Sequence, residues 1–276
     1  MKAAAFAYTA VASSAEAIGA LGSSGPLAKV AAGCQSLGPM LNLRLVRPER
    51  LIDVSRAVDM RRTTDEGDAL VYGGAVTHAE IEDGLAPDAT PGWMASIARG
   101  IAYRAVRNRG TIGGSLAHAD PAADWVVTLT ALGAEVLLCS PAGARRLPLS
   151  QFVTGALATA LREGEIVAAV RVPKRGPAAR WGYWKFVRKR GEFAKASAAV
   201  LIDTERQETR IVIGAIERAP LVVPDAQAMF AGPQTHRAVL ESLLPGRPQG
   251  SLVFHAAALR RAIAIAQGET AQAAMP

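Results

Sequence analysis

Apolar residues in this chain fall in short runs bounded by Gly, Pro or charge, a rhythm that predicts brief strands alternating with short helices. A strand is expected over residues 6–8, then a helix capped by Ser13 or Ser14 and stopped at Gly22. Further strands are expected at 29–31 and, after the Arg47-Pro48 break, at 51–54, which makes residues 1–55 a small βαβ-type lobe. A second lobe opens near Ala69, where LVYGGAV alternates like a strand and Thr77 can cap the helix that carries Glu80 and Ile81. Beyond it the spacing predicts helices over 94–105 and 125–132, then strands over 134–139, 145–147 and 166–172, the last ended by Pro173. The stretch KRGPAAR, 174–180, reads as a linker or exposed turn. The remainder predicts a strand over 210–216, helices over 234–243 and 252–267, and a loose tail over 268–276. The sum is an α+β chain of two lobes, about 1–55 and 56–177, and a smaller α+β unit over 178–276.

Two small-residue segments interrupt this pattern, AAGCQSL at 31–37 and TIGGSLAHADPAAD at 111–124. Gly113 and Gly114 lack a Cβ, so they are free to take positive φ and to admit a ligand close to main-chain N–H groups. Successive N–H groups of that kind form a concave anion site suited to a diphosphate. The first segment repeats the theme with Ala31, Ala32 and Gly33 and adds side-chain donors at Gln35 and Ser36. One such segment alone is no more than a tight turn. Asp124 is placed either to accept from cofactor hydroxyls or to stabilise a helix dipole. Asp120, before Pro121, reads as a cap, and His118 as a backbone rather than an imidazole contributor.

Together with NLRLVRPERLIDV after the first segment and RNRG before the second, these residues resemble the FAD-binding medium subunit of molybdenum hydroxylases. That group takes in carbon monoxide dehydrogenase medium subunits and the FAD domain of xanthine dehydrogenase. The likeness runs from Phe6 to about Pro224. It implies a two-lobed FAD-binding domain of the vanillyl-alcohol-oxidase/PCMH type over 1–177, followed by the C-terminal domain. It further implies a cofactor site built from Lys29, Ala31, Ala32, Gly33, Cys34, Gln35, Ser36 and Leu37, and from Thr111, Gly113, Gly114, Ser115, His118 and Asp124. Ile166 and Val167 would pack on the flavin or adenine, although strand core is their ordinary role. Lys185 would contact FAD, and Phe193 would take the place of an aromatic near the isoalloxazine ring, where the family often has Tyr. Two departures stand out: Cys34 replaces a family Gly, which strains the residue if positive φ is required there, and Ser115 replaces a family Asn. The aromatics Trp181, Trp184 and Phe186 read as core residues of an edge strand. Arg107 and Arg109 read as structural or subunit-docking residues.

Composition narrows the function without naming it. With 276 residues, half of them hydrophobic and 5% aromatic, the chain builds its core from Ala, Val, Leu and Ile. The formal charge of +7 is scattered and no nucleic-acid motif accompanies it, which favours acidic protein partners or plain solvation. Cys34 and Cys139 are too few for an iron–sulfur centre, and the four histidines lack metal spacing. A reducing, cytoplasmic setting fits two isolated thiols. The N-terminal AAAFAYTAVASSAEA imitates a signal peptide, but Thr9 and Glu16 break it, and no run reaches the roughly 20 apolar residues that span a bilayer.

There is no paired-carboxylate, nucleophile–base or metal pattern, so substrate chemistry is expected on another polypeptide. The resemblance assigns it to a large molybdenum-cofactor subunit. A small subunit with two [2Fe–2S] clusters would relay electrons to FAD here, in a heterotrimer or a dimer of heterotrimers. Two rival readings are a free-standing FAD oxidoreductase with its own substrate pocket and base, and a non-catalytic nucleotide-binding module.

Overall fold

The structure, a computed structural model, describes residues 2–269. The first lobe holds β1 (Ala7–Ala10), α1 (Ser14–Ser24), β2 (Ala28–Ala31), α2 (Leu37–Asn42) and β3 (Arg50–Asp53). Its three strands are parallel in the order β1-β3-β2, with Ala7 and Ala28 both opposite Arg50. Ser13 caps α1 by accepting from the Glu16 N–H. The helix runs through Gly22 and stops instead at Gly25, whose φ of 71° ends the turn. Ala17, Ala28, Ile52, Val54 and Met60 form the lobe's core, joined by Ala75 and Ile166 from the second lobe.

The second lobe is an antiparallel sheet in the order β4-β5-β10-β6-β7, covered by short helices. In chain order it holds β4 (Thr63–Asp65), β5 (Ala69–Gly73), α3 (His78–Glu82), α4 (Trp93–Gly100), α5 (Arg104–Arg107), α6 (Ile112–His118) and α7 (Asp124–Leu132). Then come β6 (Glu135–Ser140), β7 (Gly143–Pro148), α8 (Leu149–Phe152), the small hairpin of β8 (Val153–Gly155) and β9 (Ala158–Thr159), and β10 (Ile166–Pro173). Thr77 and Glu80 make the expected capping box at α3. The single helix expected over 94–105 is instead α4 and α5, broken at Ile101 and Ala102. There the buried Arg107 guanidinium donates to both carbonyls and pairs with Glu82 at 2.7 Å. Asp120 accepts from the Ala122 N–H and caps no helix, since Ala123 is the N-cap of α7. Every residue of α7 is buried.

The rest of the chain forms β11 (Arg180–Phe186), β12 (Ala196–Asp203), β13 (Glu208–Gly214), β14 (Leu221–Val222), α9 (Pro233–Leu243) and α10 (Gln249–Ala266). These strands make one antiparallel sheet with β11 at its edge. Alternate residues of the central strands enter different cores. Ala199, Leu201 and Val212 join the core of the second lobe around Trp125 and Leu129, while Ala198, Val200, Ile211 and Ile213 pack with Leu259, Ala262 and Ile263 of α10. The segment 174–180 is more than a linker. Arg175 is buried within it, donating to Asp203 at 3.0 Å, Glu208 at 2.6 Å and the Leu132 carbonyl at 2.7 Å. The expected tail lies outside the described residues from position 270 onward.

Candidate functional site

Parallel strands aim their carboxyl ends, and the loops that follow them, toward one edge of the sheet, where ligands collect. In the first lobe that edge carries residues 32–36 after β2 and residues 54–58 after β3. The turn at 32–36 depends on Cys34, which takes φ 58°, so the left-handed conformation that strains a Cys is required at this position. The Gln35 side-chain amide donates to the Gly33 carbonyl at 2.9 Å, and Gly38 N–H donates to the Cys34 carbonyl at 2.9 Å. None of the backbone N–H groups from Ala32 to Leu37 donates to an acceptor among the described residues. A left-handed residue within such a row makes the concave donor nest that holds anions.

The second segment is built otherwise. Residues 112–118 are α6, and Gly113 and Gly114 are not in positive φ. Their amides are already used: Ile112 donates to Val76, Gly113 to Gly74 at 3.0 Å, and Gly114 to the Thr111 hydroxyl at 3.1 Å. The glycines serve close approach instead, since a Cβ on Gly113 would lie 2.6 Å from the Gly74 carbonyl oxygen.

The two segments meet at Gly33, where an added Cβ would fall 2.0 Å from the Arg109 carbonyl oxygen. Between them lies a cleft of about 350 Å³ lined by Ala32, Gly33, Ser55, Arg56, Arg61, Ala75, Thr77, Asn108, Arg109 and Thr111. Arg61 is held by Glu80 at 2.5 Å, whereas Arg56 and Arg109 are exposed and make no ion pair among the described residues. Asp53 stands behind the nest. Its partial burial opposes ionisation, but the Tyr8 hydroxyl at 2.5 Å and the Ser55 N–H at 2.7 Å prevail and hold the carboxyl below its usual range. Burial, with Asp53 adding to it, pushes the Cys34 thiol up.

A second cavity, about 230 Å³, lies between α4 and the edge strand, lined by Ser96, Ile97, Gly100, Asp124, Trp181, Tyr183, Trp184 and Lys185. Asp124 accepts from Tyr183 at 2.8 Å and pairs with Lys185 at 2.7 Å, and Lys185 also donates to the Gly100 carbonyl at 3.0 Å. Trp181 stacks on Trp93 with ring centroids 5.3 Å apart. Burial raises the Tyr183 hydroxyl well above its ordinary value, so it stays a donor to Asp124.

Residues 4–175 match the family described as the FAD binding domain in molybdopterin dehydrogenase. The chain belongs to this family. Its relatives include the nicotine 6-hydroxylase medium subunit of Paenarthrobacter nicotinovorans, 36% identical over 74% of this chain and 72% of that protein. The carbon monoxide dehydrogenase medium chain of Hydrogenophaga pseudoflava is 38% identical over 71% of this chain and 69% of its own. Among solved structures, quinoline 2-oxidoreductase from Pseudomonas putida 86 superposes with a TM-score of 0.86 at 31% identity, over 100% of both chains. This FAD-binding chain is thus an oxidoreductase component of the medium-subunit kind, and FAD is its cofactor. The donor nest and its two free arginines suit the diphosphate of that cofactor.

The flavoprotein's expected site residues fall into four sets. Ala32, Gly33 and Thr111 line the cleft, with Cys34, Gln35, Ser36 and Leu37 continuing the nest. Gly114, Ser115 and His118 lie along α6, exposed or half-buried, while Gly113 is buried at its start. Asp124 and Lys185 line the second cavity. Outside both linings are Lys29, exposed on β2, and Ala31, buried beneath the nest. Ile166 and Val167 sit in the cores of the first and second lobes, 2% and 7% exposed, and Phe193 stands 63% exposed between β11 and β12. Sequence reasoning missed Ser55, Arg56, Arg61 and Tyr183. The first three follow the carboxyl end of β3, a position that identifies them once the strands are known to be parallel.

Among the described residues there is no metal-ligating cluster and no helix long and apolar enough to cross a membrane. Both cysteines are free thiols.

Proposed function

We propose that this chain is the electron-transfer subunit of a heteromeric molybdenum hydroxylase. A large partner carries the molybdenum cofactor and oxidises the substrate. A small partner relays the electrons through two [2Fe–2S] clusters, and this chain passes them on to an external acceptor. The assembly is a heterotrimer or a dimer of heterotrimers in the cytoplasm, where two unpaired thiols persist.

When bound, FAD supplies the two-electron chemistry, and the protein supplies position and electrostatics. The N–H groups of Ala32 to Leu37 hold the diphosphate, with Arg56 and Arg109 adding charge and Thr111, Gly114, Ser115 and His118 forming the opposite wall. Asp124, fixed by Tyr183 and Lys185, accepts from cofactor hydroxyls, and Lys185 and Phe193 border the ring. Residues 1–177 act as the FAD-binding domain and 178–276 as the C-terminal domain.

The observation that carries this reading is a row of amides, Ala32 to Leu37, with no acceptor among the described residues, at a cleft lined by Arg56 and Arg109, which make no ion pair among the described residues. Open backbone donors beside cationic charge select an anion. The relatives' names, medium subunit and medium chain, support the division of labour. The test is co-expression with large molybdenum-cofactor and small iron–sulfur partner chains. The complex is expected to be yellow-brown, to release FAD on denaturation, and to contain iron and molybdenum. A colourless chain that releases no flavin from the assembled complex overturns the reading.

A further inference from the structure

The external acceptor is unassigned, and the surface beside the second cavity bears on what kind of molecule it is. The loop between β11 and β12 leaves that cavity directly after Lys185 and Phe186. It returns across the 101–103 segment, where a Cβ on Gly191 would meet the Ala102 carbonyl oxygen at 2.9 Å. Two large exposed aromatics lie within two residues of this contact along the chain, Phe193 beyond Gly191 at 63% exposure and Tyr103 next to Ala102 at 62%. Around them the loop carries Arg188, Lys189, Arg190 and Lys195, all exposed, against the single carboxylate of Glu192. Glu192 pairs with Arg188 at 3.3 Å and neutralises one cation of the four.

We infer that this face is a docking surface for an acidic redox protein that takes electrons from the flavin. The inference rests on the function proposed above and assigns the acceptor of that same site. Charge complementarity decides the partner's sign, because a cationic rim around exposed aromatics attracts a carboxylate-rich surface. The apolar content decides the lifetime of the contact. Permanent subunit interfaces bury large hydrophobic areas, whereas electron-transfer encounters are small, polar and salt-dependent, and two aromatics among four cations match the second kind.

The shape of the site decides against a small anion. The cavity's one cation, Lys185, is already committed to Asp124 and Gly100, and the loop cations do not line that cavity. Each passage of two electrons reduces two molecules of a one-electron acceptor, such as ferric haem to ferrous. The hydrogens carried on the reduced ring leave as protons to solvent.

The test uses the assembled complex, photoreduced anaerobically with EDTA as the electron donor and mixed in a stopped-flow instrument with a soluble acidic haem protein of the cytochrome b5 type. FAD content is measured first, so failure of the functional reading shows itself separately as missing flavin. The bimolecular rate is expected to fall about ten-fold or more as ionic strength rises from about 20 to about 300 mM, since screening shortens the reach of exposed charge. Charge reversal at Arg188→Glu, Lys189→Glu and Arg190→Glu is expected to lower the low-salt rate by at least about ten-fold. Oxidation by uncharged benzoquinone should be unchanged, and the first-lobe control Arg44→Glu with Arg47→Glu should leave both rates alone.

The proposal is overturned if the haem protein's rate ignores both salt and reversal. It is equally overturned if the triple variant no longer assembles with its partners, which would make the face a permanent interface. Equal slowing of oxidation by NAD, a small anionic dinucleotide, or salt-sensitive retention of the wild-type complex on polynucleotide would assign the face to those ligands instead.

Discussion

Substituting Gly33 by Ala tests whether the two segments must touch for the cofactor to bind. The added methyl would lie 2.0 Å from the Arg109 carbonyl oxygen, 2.5 Å from its carbon and 2.8 Å from the Gly110 Cα, all backbone atoms. No side-chain rotation relieves such a contact, so the bend at 32–36 must move away from 109–110. Overpacking of this sort costs about 1–3 kcal/mol in fold stability. The displacement also takes donors from the diphosphate. Hydrogen bonds to charged groups are worth about 1.5–3 kcal/mol each, so losing two weakens FAD by about 3–6 kcal/mol, roughly a hundred- to ten-thousand-fold in Kd. The assay is flavin content of the purified complex together with fluorescence titration of the deflavinated protein. The control is Gly19→Ala in the middle of α1, where no atom lies within 4 Å of the new methyl. That change should stabilise the protein by about 0.5–1 kcal/mol and leave FAD content alone. A Gly33→Ala protein that keeps stoichiometric FAD, wild-type Kd and wild-type melting would refute the packing argument.

Three other perturbations follow from the same geometry. Cys34→Gly removes a left-handed penalty of about 1 kcal/mol and adds a similar unfolded-state entropy, so the urea midpoint should barely move while Cys34→Val loses stability and flavin; a large loss in the Gly variant contradicts the strain. Arg175→Met leaves the buried Asp203 without its main partner and should cost about 3–5 kcal/mol in denaturant unfolding, whereas an unchanged midpoint would show the network to be solvated. His78 accepts from the Trp125 indole at 3.0 Å, and burial, helped by the Arg107 charge, pushes its pKa down to about 3. Its contribution is therefore full above about pH 6.5, where the unfolded imidazole is also neutral, and is lost as pH falls toward 3 at about 1.4 kcal/mol per pH unit. His78→Asn, which keeps an acceptor for Trp125, should flatten the melting temperature between pH 7 and 5; an unaltered pH profile assigns the acid sensitivity elsewhere.

Most strands were legible because Val, Ile and Leu runs end at Gly or Pro, as at 166–173, where the expected Pro173 stop holds. The parallel first lobe and the capping box at Thr77 were legible for the same local reasons. The left-handed turn at Cys34 was signalled only by the resemblance, in which a Gly occupies this position. Which segment keeps its amides free was not. Gly113 and Ile112 spend theirs on Gly74 and Val76, partners some forty residues away that no local pattern reveals. The break in the 94–105 helix escaped for a like reason. It is fixed by the guanidinium of Arg107, reaching back to carbonyls that a continuous helix would have hidden.

The sheet of β11 to β14 carries a consequence for how the chain can be divided. The family match stops at Val-Pro-Lys-Arg175, yet Val127 of α7 lies so close to β13 that a Cβ on Gly214 would come within 2.1 Å of its methyl. Ala199, Leu201 and Val212 complete a core whose first member in the chain is Leu70. A fragment trimmed at the boundary of the match would bare that flank of α7 to water and precipitate. The joint is a weld rather than a hinge, and grafting a tail from a relative would require re-tailoring both surfaces of the shared sheet at once.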